Sequence, residues 1–227
     1  MKILALDTAT EACSAALLID GDVHERFEIA PRAHARLVLP MLDELLSEAG
    51  LKPAQLDAVA FGRGPGSFTG LRIAASVAQG IAFAADLPVL PVSTLAALAR
   101  AALQADAGRQ VFAAIDARMN EIYWAAYASD EQGMPTALCE EQVSAAAAVS
   151  VPTGTRWYGV GSGWAAYPDV LQAHFGAALT GSAPDALPHA AHIAQLAAHG
   201  FAAGRAVSAE QALPVYLRNQ VVKRPGE

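Results

Sequence analysis

Cysteine is nearly absent: Cys13 and Cys139 are the only two in 227 residues. Two such distant cysteines supply neither a disulfide framework nor a zinc-binding spacing. Cys13 falls in an apolar run and reads as a small core residue. Charge is also scarce, at 16% of residues, and its formal balance is −7. That balance creates no overall field to gather phosphates, so nucleic-acid binding by the chain alone is not expected. No uninterrupted apolar run reaches the roughly 18 residues of a membrane span. The N-terminal run has one Lys and is broken by Asp7, which excludes the pattern of a signal peptide. A soluble protein of a reducing compartment, most simply the cytoplasm, is expected. No Ser/His/Asp order is readable, so a peptidase is not implied. Apolar residues are plentiful at 54%, enough for a sizeable core.

The most informative stretch is Phe61-Gly62-Arg63-Gly64-Pro65-Gly66-Ser67-Phe68-Thr69-Gly70-Leu71-Arg72. Before it, Leu56–Phe61 reads as a buried strand. After it, Leu71–Ala85 reads as a helix, which Ser67 or Thr69 can cap. A strand, a glycine turn and a helix N-terminus can together make an anion site. The known phosphate templates nevertheless fail. Leu71-Arg72 stands where a Walker A loop needs Lys-Ser/Thr, and the glycine spacing misses the dinucleotide fingerprint. The alternative is a tight turn whose glycines serve packing.

The rest of the chain reads as two similar halves. Lys2–Asp7, Cys13–Ile19 and Val23–Ile29 form a three-strand antiparallel meander with Asp20-Gly21 as one turn. His34–Ala49 is a helix with an apolar face, and Pro40 inside it predicts a kink or a late start. Pro88–Val92 is a strand, followed by a helix to about Leu103 with Ser93 or Thr94 as its cap. Asp106-Ala107-Gly108 breaks the pattern and divides the chain into 1–106 and 107–227. The second half opens like the first. Val111–Ile115 ends in Asp116, Glu121–Ala128 is the next strand, and Asp130–Gly133 is a turn. Ala145–Ala148 reads as a short helix, Trp157–Val160 as a strand, then a helical segment to about Phe175 and a helix over Ala190–Gly204. Leu213–Leu217 closes the ordered part, and Lys223–Glu227 reads as a frayed tail. Asp7 and Asp116 each end a first strand. They fit either remnants of a phosphate loop or residues that bond local backbone, and the second is favoured.

Four pieces, in order along nearly the whole chain, carry a family resemblance. They are Ala5-Leu6-Asp7-Thr8, the stretch Gly64–Arg72, Asp116-Ala117-Arg118 with Glu121-Ile122-Tyr123, and Pro214-Val215-Tyr216-Leu217-Arg218. Together they resemble the TsaB (YeaZ) family. The resemblance implies an α/β, two-lobed actin/Hsp70/sugar-kinase-like (ASKHA) fold, with mixed sheets and flanking helices. It implies a non-catalytic partner in making threonylcarbamoyladenosine beside the tRNA anticodon. TsaD would be the transferase that holds the metal, TsaE the ATPase that joins them, and TsaC the source of the adenylate. No cofactor and no catalytic residue are implied for this chain. One departure is visible: Met119-Asn120 stands where the family often has Arg-Gly.

The residues agree with a non-catalytic role. Ala9 and Ala117-Arg118 stand where phosphate loops of this fold need glycine. His34 is the lone histidine of its helix, with Leu37 and Val38 where a second metal ligand would sit. His189 and His192, three apart and near His199, lack an accompanying carboxylate or cysteine in the local sequence. An autonomous nucleotide-binding enzyme of the sugar-kinase type remains the alternative.

The helices over His34–Ala49 and Leu71–Ala85 are the expected partner surface. Leu37, Met41 and Leu45 form one apolar row, and Val38, Leu42 and Leu46 form the next. One row is expected to face the sheet and the other to need cover. The second helix is small-sided, with Arg72, Ile73, Val77 and Ile81 projecting. Through these residues the chain is expected to pair with TsaD, and with a second copy of itself when alone.

Overall fold

The computed structural model of the protein describes residues 1–218. The tail Lys223–Glu227, read as frayed, lies outside the described residues. The first half contains β1 (Lys2–Asp7), β2 (Ala12–Ile19), β3 (Asp22–Ile29), α1 (His34–Glu48), β4 (Ala58–Gly64), α2 (Phe68–Ala85), β5 (Val89–Ser93) and α3 (Thr94–Ala105). The second contains β6 (Gln110–Arg118), β7 (Glu121–Ser129), β8 (Pro135–Ala137), β9 (Gln142–Ala145), β10 (Trp157–Val160), α4 (Ser162–Ala166), α5 (Pro168–Phe175), β11 (Leu179–Ala183) and α6 (Ala190–Ala202).

The two sheets repeat one plan. The first has the order β3-β2-β1-β4-β5 and the second β8-β7-β6-β10-β11, with β9 also on β7. In each, the opening strand pairs antiparallel with its successor and parallel with the strand after the crossover. The central strands read as continuous apolar runs because both of their faces are covered.

The covering helices are exchanged between the halves. α1 and α2 lie on one face of the first sheet, over Leu4, Leu6, Leu17 and Phe61. Its other face, with Ile3, Ala5, Ala16 and Leu18, is covered by α6 from the end of the chain. α3, from the first half, packs on the second sheet through Leu95, Leu98 and Leu103 against Val111, Ala113 and Ala125. The last face of the second sheet is aromatic. Phe112, Trp124, Trp157, Trp164 and Phe175 pack there with α4 and α5. Each buried leucine-sized side chain contributes roughly 1.5–3 kcal/mol, so the four faces together dominate the stability.

Several expectations are corrected. α1 starts at His34 with Pro40 inside, rather than starting late. Pro40 sits on the exposed side, where its missing N–H costs a helix bond but no packing. Ala146–Ala148 forms a 3₁₀ turn rather than an α-helix. The segment to Phe175 is two helices, divided at Tyr167-Pro168, because Pro168 opens the second one. α2 is 18 residues long with a mean hydropathy of 1.3, so by length and composition it could cross a membrane. Alanines and isoleucines keep that mean high although Arg72, Ser76 and Gln79 break the run. One face of α2 lies on the sheet, where Leu71, Ala74, Ala75, Ala78 and Ala82 are buried.

Candidate functional site

The first strand of each half ends in an aspartate that turns back on its own backbone. Asp7 Oδ1 accepts from the Ala9 amide at 2.9 Å, and Asp116 Oδ1 accepts from the Arg118 amide at 2.8 Å. Both are the strand-end geometry favoured from the sequence. Their surroundings differ. Asp7 is fully buried, and burial pushes its pKa up to about 6 against the pull of the Ala9 amide and the nearby Thr94 hydroxyl. Neither Asp7 Oδ2 nor Thr94 Oγ1 completes a hydrogen bond. Asp116 is partly exposed and pairs with Arg118 at 3.1 Å.

The glycine-rich stretch forms the end of β4, a turn and the start of α2. Ser67 is the cap of α2, its Oγ accepting from the Gly70 amide at 3.4 Å. The turn is fastened to the residues after Asp7. The Ser67 amide donates to the Ala9 carbonyl at 2.7 Å, and Thr8 Oγ1 donates to the Gly70 carbonyl at 2.7 Å. A Cβ on Gly62 would overlap the Asp7 carboxylate, one on Gly66 the Ala9 carbonyl, and one on Gly70 the Thr8 carbonyl. Gly62 therefore admits the Asp7 side chain, and Gly66 and Gly70 the chain's own backbone, the packing reading of the motif. The Gly159–Gly163 cluster repeats the device, since Cβ atoms at Gly161 and Gly163 would run into Ala114 of β6.

Between the halves lies a cavity of about 790 Å³. Its lining includes Thr10, Glu11, Ser67, Asp116, Arg118, Ser162, Tyr216 and Arg218. Arg118, Met119 and Asn120 all take positive φ, at 62°, 56° and 63°, in the turn between β6 and β7. Met119 and Asn120 are the residues that depart from the family pattern. A second cavity, of about 710 Å³, includes Arg63, Tyr127, Glu141, His199 and Arg205. Arg63 of β4 and Glu141 form an ion pair at 3.1 Å between the halves.

A metal of the kind the resemblance assigns to TsaD does not fit the residues present. His34 is the only histidine of α1, and among the described residues no group of three or more His, Cys, Asp or Glu could hold a metal ion. His189 and His192 have their rings 6.1 Å apart. A carboxylate does accompany them, which local sequence missed. Glu25 of β3 meets His189 Nδ1 at 2.9 Å and also accepts from the Ala191 amide at 2.9 Å. Phe27 stacks on the His189 ring at 4.2 Å. This arrangement fastens the start of α6 to β3. Burial lowers the pKa of His192.

The eight residues named for a partner surface separate by depth. Val38, Met41 and Leu45 are buried in the core between α1 and the first sheet. Apart from half-buried Leu37, both apolar rows of α1 are covered by the chain itself, which corrects the expectation that one would stay open; β2, β3 and α2 together cover them, while the opposite side of the helix faces solvent. Leu37, Ile73, Val77 and Ile81 are half-buried at the edge of that core. Arg72 is exposed, lies 3.9 Å over the Phe68 ring and donates from Nε to the Tyr216 hydroxyl at 3.3 Å. Phe83, 76% exposed, is on the same helix and was missed.

Two sheets of one strand order, exchanged covering helices and a cleft between them define the actin/Hsp70/sugar-kinase class of fold. Comparison with known proteins narrows this class. The family model described as TsaD, tRNA N6-adenosine threonylcarbamoyltransferase, matches residues 21–225. The tRNA threonylcarbamoyladenosine biosynthesis protein TsaB of Escherichia coli K12 is 44% identical, with 100% of each chain aligned. The protein of that name from Haemophilus influenzae is 43% identical, over 100% of this chain and 98% of its own. The solved structure of YeaZ from Pseudomonas aeruginosa superposes with a TM-score of 0.85 at 45% identity, covering 95% of this chain and 99% of that one. A second crystal structure, of an uncharacterized Pseudomonas aeruginosa protein similar to peptidase YEAZ, gives 0.88 at 46%, covering 96% and 99%. The chain belongs to the TsaB family.

Proposed function

We propose that this protein is the non-catalytic partner subunit of the bacterial assembly that installs threonylcarbamoyl on the adenosine following the tRNA anticodon. In this reading it pairs with the transferase TsaD in the cytoplasm, the ATPase TsaE joins them, and tRNA is met only through the complex. The free chain pairs with a second copy through the same helices. The observation that carries the reading is the filled phosphate turn. Thr8 and Ala9 occupy the ground that Gly66 and Gly70 would otherwise offer a ligand. The names of the full-length relatives support the pathway.

Residues 1–106 carry the partner face in this proposal, and residues 107–227 complete the scaffold. The face runs along α2 through Arg72, Ile73, Val77 and Ile81, with Leu37 of α1 at its edge. Val38, Met41 and Leu45 hold α1 from beneath. Exposed Phe68 and Phe83 add aromatic area to α2. Small neighbours such as Ser76 and Gly80 let a second helix come close.

The test is Val77→Glu. Val77 is half-buried, so a charge there opposes association more than folding. Covering the open part of Val77 is worth about 1 kcal/mol, and enclosing an unpaired carboxylate in its place costs more, so association with co-expressed TsaD should fall more than tenfold. The melting transition should stay near that of the parent. Undiminished association, or a collapsed fold, overturns this face. The cavity of about 790 Å³, lined in part by Asp116, favours a second reading, an autonomous nucleotide-binding enzyme. Calorimetry on the isolated chain separates the two, since stoichiometric ATP binding with a low-micromolar constant would replace the first reading by the second.

A further inference from the structure

The motif Pro214-Val215-Tyr216-Leu217-Arg218 belongs to no helix or strand, yet both halves of the molecule hold it. The Val215 amide donates to the Arg63 carbonyl at the end of β4, at 2.8 Å. The Tyr216 ring lies 5.3 Å from that of Phe68, and its hydroxyl accepts from Arg72 Nε at 3.3 Å. These anchors are all in the first half. Arg218 then reaches the second half, where it pairs with Glu121 and donates to the Arg118 carbonyl at 3.5 Å. Its side chain is only 17% exposed, low for an arginine. Leu217, between the two sets of anchors, lines both interlobe cavities.

We propose that Pro214–Arg218 is a strap that fixes the spacing of the two lobes and couples the first turn of α2 to the turn between β6 and β7. Four consecutive residues, even fully extended, reach only about 13–14 Å. A relative movement of the lobes beyond what this short tether can follow must therefore break an anchor at one end or the other. The lobe-one end is a backbone hydrogen bond and an aromatic contact, and the lobe-two end is an ion pair enclosed on its arginine side. The strap acts whether or not α2 meets a partner.

Hydrogen–deuterium exchange on the full-length chain tests this. Arg218→Ala removes the second-lobe anchor, and Glu121→Gln weakens it without touching the strap. Both should speed exchange near Asp116–Ile122, and both should also speed it at least tenfold at Gly66–Leu71 and Val215, at the far end. Tyr216→Ala, which removes the side-chain part of the first-lobe anchor and leaves the Val215 amide bond to Arg63, should speed exchange in the turn between β6 and β7 in return, since coupling is reciprocal. Peptides of β1 and β2 should keep the parent's rates. Changes confined to the end that was altered overturn the proposal. So does equal acceleration in β1 and β2, which reports general destabilisation.

Discussion

Replacing Asp7 with Asn should stabilise the protein at neutral and alkaline pH. The native carboxyl is fully buried and keeps its proton up to about pH 6, while an unfolded chain loses it near 3.8. Between those values the native state binds more protons than the unfolded one. Stability therefore falls as pH rises through this window, and the contribution is full below about pH 4 and gone above about pH 6. A shift of about two units corresponds to about 3 kcal/mol. For a chain of this size that is about 6–12 °C in Tm. Asn keeps the acceptor for the Ala9 amide and offers its NH₂ toward the orphan Thr94 hydroxyl. Thermal melts of parent and Asp7→Asn at pH 4, 6 and 8 isolate the group, because all other titrations cancel in the difference. The variant should match the parent at pH 4 and exceed it at pH 8. Equal melting at pH 8, or a difference that does not grow between pH 4 and 6, refutes the reasoning.

Gly70→Ala and Gly80→Ala should move stability in opposite directions. The first forces a methyl into the Thr8 carbonyl, whereas the second meets nothing within 4 Å inside a helix and should gain about 0.5–1 kcal/mol in denaturant unfolding. Glu25→Ala should cost about 1–2 kcal/mol by uncapping the start of α6, seen as a lower urea midpoint with an unchanged slope. Met119→Gly should raise the unfolding free energy by about 1 kcal/mol, seen as a higher urea midpoint, since it relieves one of three consecutive left-handed residues. Purified protein mixed with tRNA at submicromolar concentration should give no salt-sensitive gel shift, because net charge is −7.

Much of the architecture is legible in the sequence because its signals are local. The Asp20-Gly21 turn marks the first meander, and Ala-rich runs after Ser67 and Ser93 mark the starts of α2 and α3. The matching ends at Asp7 and Asp116 reveal the repeated plan. β8, β9 and β11 escape because they have three to five residues, with Pro135 and Gly181 among them. Such strands take their pairing from neighbours rather than from their own pattern. The site is less legible for the same reason. Glu25 and His189 are 164 residues apart, and nothing local announces that they meet. Spacing alone could not say which row of α1 a partner would find, because β2, β3 and α2 together bury both rows except for Leu37 at the edge. The glycine motif is the instructive case, since the same residues could admit a phosphate or a neighbouring loop. Only the position of Thr8 and Ala9 decides between them.

The exchange of α3 and α6 has a consequence for synthesis on the ribosome. When β5 has emerged, the first sheet has all its strands, but the face carrying Ile3, Ala5, Ala16 and Leu18 stays bare until α6 is made nearly a hundred residues later. α3 emerges early and has no second sheet to lie on. The nascent chain thus carries an unfinished sheet through almost half of its translation. Its closing step joins the ends of the sequence, a pairing of high contact order and slow formation. Exposed strands at that stage invite premature association, so this chain should depend on chaperones during synthesis more than its modest length suggests.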